Sequence, residues 1–292
     1  MHYDEKVMEG LLTFIEERSN IWHRKEVQGL PAPWTDDPIL AGGKFGNIWR
    51  ELDRGTQWEL DKLAKIDGPL KKLEQLRLIL IYRHNLIPAT TEMLLIGAKP
   101  DQLVLSNIPT LISDVIKIYP LSNRCTRNDW AYYVWCHMND IVSNALTFLL
   151  ATQHNKNPIY IHAKLQQSFP RLDAFKAYEV MTSLTYLDWW QLSEDDFPYV
   201  GHGALPALNM LCPDISDGLQ IVNLVELTPV VKVKLIERGI VKWPTSLTRP
   251  YHHFSVRTFE DALCEYRKYL AVKAGSRSQR PYPDNLGRWN NA

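Results

Sequence analysis

Apolar residues recur every three or four positions through most of this chain, the spacing that places them on one face of an α-helix. The pattern predicts helices over residues 11–22, 47–64, 70–84, 103–118, 132–151, 159–167, 174–187 and 259–274. Strict alternation, which would predict strands, is confined to short runs at 230–234 and 251–255. The sequence therefore predicts an all-α protein, organised as a two-lobed helical bundle.

The length and composition predict one globular domain of two lobes. A chain of 292 residues with 45% hydrophobic residues can bury one substantial core, or two lobes that share a cleft. Residues 117–128 separate the early helices from the middle ones and are the predicted boundary within a domain spanning residues 1–275. Residues 276–292 are rich in Gly, Ser, Arg and Pro, which is typical of a basic, flexible tail.

Charge and cysteine usage limit the function classes. The chain carries 33 basic and 33 acidic residues, which argues against non-specific coating of nucleic acid, although DNA binding needs only a basic face. Four scattered cysteines without a Cys-x-x-Cys pair favour reduced thiols in a cytoplasmic protein. No apolar run spans a bilayer and no histidine pattern predicts a metal site. We therefore expect no membrane partner and no resident cofactor.

Two neighbouring segments concentrate ionisable groups beside large aromatic residues. Residues 34–38 read Trp-Thr-Asp-Asp-Pro, and residues 45–56 read Phe-Gly-Asn-Ile-Trp-Arg-Glu-Leu-Asp-Arg-Gly-Thr. On a helix beginning near Asn47, Arg50, Asp53 and Arg54 would project from one face, because they are three and four positions apart. Two guanidinium groups held by a carboxylate suit a phosphate-rich ligand, although the same spacing is common on solvated, salt-bridged helix faces.

A second motif lies at residues 197–207, which read Phe-Pro-Tyr-Val-Gly-His-Gly-Ala-Leu-Pro-Ala. It resembles the hairpin of helix-hairpin-helix DNA-binding proteins and DNA glycosylases. In such a hairpin, Gly201, His202 and Gly203 would form a turn with positive φ, and backbone amides would bind a DNA phosphate. An ordinary turn between helices is the alternative interpretation.

Together these segments resemble the helical domain of phage enzymes that hypermodify thymine in DNA. That family includes the amino acid:DNA transferases, formerly described as glutamyl/putrescinyl-thymidine pyrophosphorylases, and the helical domain attached to hydroxymethyluracil DNA kinases. The resemblance runs through residues 17–25, 34–38, 47–54, 175–180, 197–207 and 259–269. Two positions depart from the family pattern, because Ser183 stands where we expect aspartate and His202 where the hairpin usually has proline.

The resemblance implies a specific reaction. A transferase of this family would replace the pyrophosphate of 5-pyrophosphoryloxymethyluracil in DNA with an amine, either an amino acid such as glycine or a polyamine. The implied partners are double-stranded DNA carrying a modified thymine, the free amine, and a hydroxymethyluracil DNA kinase acting in the same process. Mg²⁺ would enter only with the pyrophosphate of the substrate, and the base would have to leave the duplex.

The same resemblance assigns roles to residues. The candidates for catalysis, as general base, amine ligand or orienting carboxylate, are Asp36, Asp37, Asp53 and Glu179. The candidates for binding pyrophosphate or the rest of the substrate are Arg18, Arg24, Arg50, Arg54, Asn47, Trp34 and Thr35. Structural alternatives exist: Glu179 as a buried partner of an arginine, Asn47 as a helix cap, and the aromatic residues as core.

Two other functions remain open. A glycosylase acting on a modified base would use the same hairpin, but Gly203 occupies the place of the lyase lysine, and the place of the catalytic aspartate falls near Ile221, although Asp214 and Asp217 are close. A non-catalytic DNA-binding module that partners a kinase is the second. The chain itself has no Gly-x-x-x-x-Gly-Lys-Ser/Thr loop for nucleotide phosphates. The transferase interpretation predicts one pocket, beside the Gly201 hairpin, that contains Asp36, Arg50, Asp53, Arg54 and Glu179.

Overall fold

A computed structural model of the chain describes residues 2–85, 88–95, 138–169, 172–214, 218–240 and 254–276. These residues form helices and connecting turns, with no strand among them, which confirms the predicted all-α fold class. The chain divides into two compact units, unit 1 with Met1–Asp53 and Glu194–Ala292, and unit 2 with Arg54–Ser193. The predicted boundary at 117–128 and the tail from 277 lie outside the described residues. The glycosylase-like arrangement stays a prediction.

The α-helices of the described residues are, in chain order, α1 Glu5–Trp22, α2 Pro38–Gly42, α3 Arg54–Ala64, α4 Lys71–Asn85, α5 Pro88–Leu95, α6 Met138–Thr152, α7 Pro158–Ser168, α8 Ala174–Leu184, α9 Leu205–Leu211, α10 Gln220–Glu237 and α11 Val256–Lys273. A π-helical turn, His23–Val27, extends α1, and a 3₁₀ turn covers Arg50–Leu52.

Short polar side chains mark where several of these helices begin. Asp4, Asp37, Asn157, Asp173 and Ser255 are the N-cap residues of α1, α2, α7, α8 and α11, and each side chain accepts a hydrogen bond from a free amide of the first turn. Such a cap stabilises a helix by about 1 kcal/mol because it satisfies an amide that has no partner within the helix.

In unit 1, α11 packs against α1, α2, α9 and α10. One continuous core joins these helices with the segment that follows α2. Its fully buried members include Ile15 of α1, Leu208 of α9, Leu227 of α10 and Phe259 of α11. The central position of α11 in this core explains why the side chains on its flanks reach several different loops.

In unit 2, α4 packs against α3, α5, α6 and α8. Its residues from Leu78 to Arg83 are all buried, so this helix has apolar residues around its whole circumference rather than along one stripe. A helix with that pattern lies in the interior of its unit. The single charged side chain within this buried stretch is Arg83.

Two sequence predictions about secondary structure are wrong. Residues 230–234 were expected to be extended, because Val alternates with Lys, but they lie within α10. The burial of Leu224, Leu227, Val231 and Leu235 at helical spacing outweighs the local β-propensity. The predicted helix 47–64 is also interrupted, because α3 begins only at Arg54. The predicted helix 103–118 lies outside the described residues, as do 251–253.

Candidate functional site

A cleft of about 780 Å³ lies in unit 1 between α1, α11 and the segment around Trp34. Its volume is within the range of small-molecule sites, roughly 300 to 1,000 Å³. The lining includes five of the residues singled out from the sequence, namely Arg24, Trp34, Thr35, Asp36 and Asp37. From α1 and α11 it also includes Glu9, Gly10, Thr13, Phe14, Glu16, Glu17, Asn20, Tyr266, Tyr269, Leu270 and Lys273.

Hydrogen bonds fix the Trp34 segment along the end of α1. Arg24 donates from Nη1 both to Glu17 Oε1, at 3.1 Å, and to the Trp34 carbonyl, at 2.5 Å. The Trp34 indole donates to the Leu30 carbonyl at 2.7 Å, and the Lys25 ammonium lies 5.5 Å from the ring centroid. Arg24, predicted to bind pyrophosphate, therefore positions the wall of the cleft in this structure.

Asp37 has both carboxylate oxygens engaged. Oδ1 accepts the amides of Ile39 and Leu40 and so caps α2, while Oδ2 accepts the Tyr269 hydroxyl at 2.8 Å. Burial, and then the hydrogen bond to Asp37, raise the pKa of Tyr269 to about 12. Thr35 is buried, and its hydroxyl oxygen accepts the Asp37 amide at 3.1 Å. These contacts give Asp37 and Thr35 structural roles at the cleft wall.

Asp36 is different from its neighbour. It is exposed, it lines the cleft, and it makes no side-chain hydrogen bond or ion pair within the part of the chain that the structure describes. A carboxylate without a protein partner at the edge of a cleft is available to accept a proton or to bind an ammonium group. Of the two aspartates predicted from the Thr-Asp-Asp motif, Asp36 is therefore the better candidate for chemistry.

The cleft carries an excess of negative charge. Its lining has five carboxylates, Glu9, Glu16, Glu17, Asp36 and Asp37, against the two cations Arg24 and Lys273. Arg238 contacts Glu16 at 3.2 Å and also pairs with Glu9, which reduces the excess to about two charges. A site with this balance attracts cations and repels phosphate.

The second predicted cluster forms a separate network within unit 1. The Asn47 amide donates to Asp53 Oδ1 at 2.9 Å, and Arg50 Nη1 lies 3.4 Å from Asp53 Oδ2. The Asn47 side chain donates to the Leu52 carbonyl at 2.8 Å. Asn47 therefore closes the turn through Arg50–Leu52. The expectation that Arg50, Asp53 and Arg54 share one helix face is wrong, because Asp53 is extended and ends the turn.

Side chains of α1 and α11 hold the start of this turn. Arg18 is buried and donates from Nη2 to the carbonyls of Phe45 and Gly46, at 3.1 and 2.9 Å. Glu265 accepts the Gly46 amide at 2.9 Å. Arg18 is thus a scaffold for the loop rather than an exposed ligand. Desolvation raises the pKa of Asp53 above its usual value of 3.8, while Arg50 and the Asn47 amide act in the opposite direction.

Glu179 lies in the interior of unit 2. Its Oε2 is 3.3 Å from Nη1 of Arg83, whose side chain is only 1% exposed. Arg83 also donates to Glu59 Oε2 at 2.7 Å and to the Ser183 hydroxyl at 2.6 Å, and that hydroxyl donates to Glu59 at 3.1 Å. The structural alternative for Glu179, a buried partner of an arginine, is therefore the one observed.

The glycine hairpin packs against α11. The Gly201 amide donates to Glu260 Oε1 at 3.1 Å, and the other Glu260 oxygen accepts Arg257 at 2.9 Å. A Cβ on Gly203 would lie 2.4 Å from the Cys264 sulfur. Positive φ was expected at Gly201 and Gly203, but neither glycine adopts it. Glycine is required at Gly203 for another reason, because close packing on α11 leaves no room for a Cβ. His202 is exposed, and DNA binding at this hairpin stays a prediction.

The cleft does not contain the full set of residues that were predicted to share one pocket. Its lining contains Asp36, but neither Arg50, Asp53, Arg54 nor Glu179. Arg54 is exposed at the start of α3 in unit 2. Sequence reasoning missed the roles of Glu265, Tyr266 and Tyr269 on α11, of which Tyr266 belongs to the buried core and Glu265 and Tyr269 are four positions apart on one side of the helix. It also missed Arg83 and Glu59, because an arginine within an apolar helix gives no indication of its distant partners.

Metal ligands, thiols and membrane-spanning helices are further features that bear on function. Within the ranges that the structure describes, no three His, Cys, Asp or Glu side chains are grouped as metal ligands would be. Cys212 and Cys264 are free thiols, and burial raises the pKa of Cys264 to about 12. None of the helices placed by the structure is long and apolar enough to cross a bilayer.

Comparison with protein families identifies the chain's relatives. The family model described as the helical domain of 5-hmdU DNA kinase matches residues 5–101 and 139–279. The chain belongs to this helical-domain family. The match covers the cleft segment, the Arg50–Leu52 turn, the hairpin and α11, and it includes both units.

A curated relative shows the same relationship. The chain is 24% identical over 291 residues to the 5-hmdU DNA kinase of Bacillus phage SP10, and the alignment covers 89% of this chain and 44% of the relative. The chain therefore spans less than half the length of that kinase. No solved structure matches the chain.

Proposed function

We propose that this protein is a transferase of thymine hypermodification, which replaces the pyrophosphate of 5-pyrophosphoryloxymethyluracil in DNA with an amine. The observation that carries the proposal is the acidic cleft, with the unpartnered carboxylate of Asp36 on its wall. The family match supports the choice of base, because the related kinase is named for 5-hydroxymethyl-deoxyuridine.

The proposed reaction is a displacement at the methylene carbon of the modified base. The amine nitrogen forms a bond to that carbon, the bond from carbon to the pyrophosphate oxygen breaks, and its electron pair leaves with pyrophosphate. The nitrogen must lose one proton, and Asp36 is placed to accept it. Asp37 is less suited to this role because its two oxygens already accept hydrogen bonds from α2 and Tyr269.

The charge of the cleft determines which part of the substrate it accommodates. Its carboxylates attract an ammonium group and repel the DNA backbone, so the modified base must leave the duplex to meet the amine, and its pyrophosphate needs a cation that offsets the negative lining. Lys273 is the exposed cation of the lining, and its ammonium lies 5.7 Å from the Tyr269 ring centroid. We assign Lys273 to the leaving pyrophosphate, because cationic groups stabilise charge that develops in the transition state.

A second candidate function is a non-catalytic module that binds DNA and recruits a kinase. The observation that favours it is the match to a kinase's helical domain, with 44% coverage of the kinase relative. The two candidates differ in one measurable respect, because a recruiting module leaves the modified base unchanged.

The test is mass spectrometry of nucleosides after incubation of the protein with DNA that contains 5-pyrophosphoryloxymethyluracil and a mixture of amino acids and polyamines. A new aminomethyl-deoxyuridine adduct is expected. Asp36→Asn is expected to lower its rate of formation at least a hundredfold, as for loss of a general base. The matched control is Glu226→Gln, because Glu226 is exposed on α10 and lies outside the cleft lining.

The other outcomes each contradict the proposal in a distinct way. Release of free modified base would identify a glycosylase. Unchanged DNA that the protein nevertheless binds, and that a separate kinase modifies faster in its presence, would identify the recruiting module. Equal adduct formation by Asp36→Asn and the control would retain the transferase but remove Asp36 as its base.

A further inference from the structure

We propose that α10 pairs with α10 of a second copy of this chain, antiparallel and about a two-fold axis, so that the protein forms a dimer. The pairing involves the exposed side of α10 and not the cleft, so it does not depend on the transferase reaction. Three features of this helix support it: an apolar stripe that faces solvent, the symmetric spacing of that stripe, and the opposite charges beside it.

The helix α10 has apolar residues on two faces. Its inward face belongs to the core of unit 1 and includes Leu224, Leu227, Val231 and Leu235, each 0% exposed. Eight residues of α10 are exposed, and only Glu226 and Glu237 among them are charged. A helix that packs on a core through one face normally has polar residues on the opposite face. The outer face of α10 therefore has the composition of a surface that is covered.

Five of the exposed residues form a continuous line, the α10 stripe, which consists of Val222, Val225, Pro229, Val233 and Ile236. At 3.6 residues per turn they all lie within about 40° of the direction of Pro229, over a length of about 21 Å. The four branched side chains of the stripe are 41–53% exposed. A contiguous apolar surface that is exposed in this way marks a site of protein–protein interaction.

The spacing of the α10 stripe is the same when it is read from either end. Successive members are three, four, four and three positions apart, with Pro229 at the centre. In a two-fold antiparallel pair, residues equally far before and after the centre face each other across the axis. Val222 then faces Ile236 of the second copy, Val225 faces Val233, and Pro229 faces its own counterpart. An unrelated partner does not require this symmetry, so it favours a second copy.

The charges beside the stripe are complementary in the same arrangement. Glu226 and Lys232 lie three positions before and three positions after Pro229, about 60° to either side of it. In the antiparallel pair, Glu226 of one copy lies at the level of Lys232 of the other, within reach of two long side chains, and this contact occurs twice. A parallel pair would bring each charge to the level of its own counterpart, where like charges repel. The charges therefore select the antiparallel orientation.

The experiment is sedimentation equilibrium of the full chain over a range of micromolar concentrations. The unaltered protein is expected to form a dimer. Val225→Glu and Val233→Lys are each expected to weaken dimerisation at least a hundredfold, because every dimer would then bury two charges against valine. The matched control is Val27→Glu, the same change at a valine that is 55% exposed at the end of the π-helical turn, and it is expected to dimerise as the unaltered protein does.

Mixing two variants tests which residues face each other. In an equimolar mixture of Val225→Glu and Val233→Lys, the new carboxylate at position 225 faces the new ammonium group at position 233, while the second contact keeps two valines. The mixture is therefore expected to dimerise although each variant alone does not. A mixture of Val225→Glu and Val222→Lys is expected to stay monomeric, because Val222 faces Ile236 and the two new charges do not meet.

Glu226→Gln measures the contribution of the flanking charges. It removes two exposed ion pairs from each dimer and is expected to weaken dimerisation about threefold. This variant remains a valid control for the nucleoside assay, because the α10 stripe and its flanking charges share no residue with the cleft lining. Loss of dimerisation and loss of adduct formation are thus separate results, and neither implies the other.

Circular dichroism verifies that each variant is folded, which is expected because the substituted side chains are exposed. An unaltered protein that is monomeric throughout overturns the proposal; if Val225→Glu also destabilises that monomer in urea, another segment of the same chain covers the stripe. A dimer that persists in Val225→Glu and in Val233→Lys shows that the interface lies elsewhere and overturns the pairing of α10. A mixture of these two variants that stays monomeric overturns the antiparallel arrangement.

Discussion

The buried charge cluster of unit 2 provides the sharpest test of how this fold is held together. The Arg83 side chain is 1% exposed and donates three hydrogen bonds, to Glu59, Glu179 and Ser183. Arg83→Met keeps the length of the side chain and removes all three donors. Breaking a buried ion pair from one side costs about 3–5 kcal/mol, because the remaining charge loses its compensation. We expect about 4 kcal/mol, since one arginine serves two carboxylates.

Urea unfolding at neutral pH, followed by far-ultraviolet circular dichroism, measures this loss. The control is Arg267→Met, because Arg267 is exposed on α11, and the expected change is below about 0.5 kcal/mol. The double variant Arg83→Met/Glu179→Gln is expected to be more stable than the sum of the single changes predicts, by about 1–3 kcal/mol. If Arg83→Met costs less than about 1 kcal/mol, the cluster does not stabilise unit 2.

The same cluster separates a structural from a catalytic role for Glu179. If Glu179 is a partner of Arg83, Glu179→Gln lowers stability by about 1–3 kcal/mol and leaves the adduct yield per folded molecule unchanged. If it is a general base, Glu179→Gln abolishes adduct formation at unchanged stability. Measuring both quantities on one preparation distinguishes the two roles.

Three further predictions concern unit 1. Gly203→Ala is expected to destabilise the protein by about 1–3 kcal/mol, because its Cβ would meet the Cys264 sulfur, and Cys264→Ala in the same chain is expected to restore most of the loss in urea unfolding. Tyr269→Phe is expected to cost about 1 kcal/mol through the lost bond to Asp37. The pKa of Tyr269 is raised to about 12, so the stability that its protonated hydroxyl contributes is complete below the ordinary value of 10 and is lost as the pH rises to 12. Absorbance titration of the phenol, compared with the same titration of Asp37→Asn, checks this pKa. Burial raises the pKa of Asp53, so the stability that its protonated form contributes is complete below 3.8 and is lost at higher pH; the stability of the unaltered protein relative to Asp53→Asn is expected to fall as the pH rises above 3.8.

The sequence predicts much of the fold because local signals and tertiary packing agree there. Periodicity placed α7 and α8 within a few residues, and Asn157 and Asp173 are the side chains that cap them. It failed at residues 230–234, where alternating valines indicated a strand but core packing selects a helix. It also failed at residues 47–53, because the hydrogen bond from the Asn47 amide to Asp53 competes with helix formation, as short polar side chains often do.

The candidate site was predictable only in part. The Thr-Asp-Asp motif led to the cleft, but sequence spacing did not distinguish Asp36 from Asp37. That distinction depends on Tyr269, which is 232 residues away from its partner Asp37. Likewise, the spacing of Arg50, Asp53 and Arg54 suggested a shared face that an extended residue at Asp53 prevents. Contacts between distant segments decide which side chains are free to bind a ligand, and periodicity carries no information about them.

The long-range contacts of unit 1 converge on α11. Near its start, Glu260 holds the Gly201 amide of the hairpin; one turn later Cys264 packs on Gly203, and Glu265 holds the Gly46 amide of the Arg50–Leu52 turn. Beyond these, the aromatic residues Tyr266 and Tyr269 form one wall of the cleft. A single helix thus fixes three of the segments that carry the family resemblance. Because each contact requires a particular azimuth on α11, a change that rotates this helix would disturb the hairpin, the turn and the cleft together, whereas a change in any one loop would not.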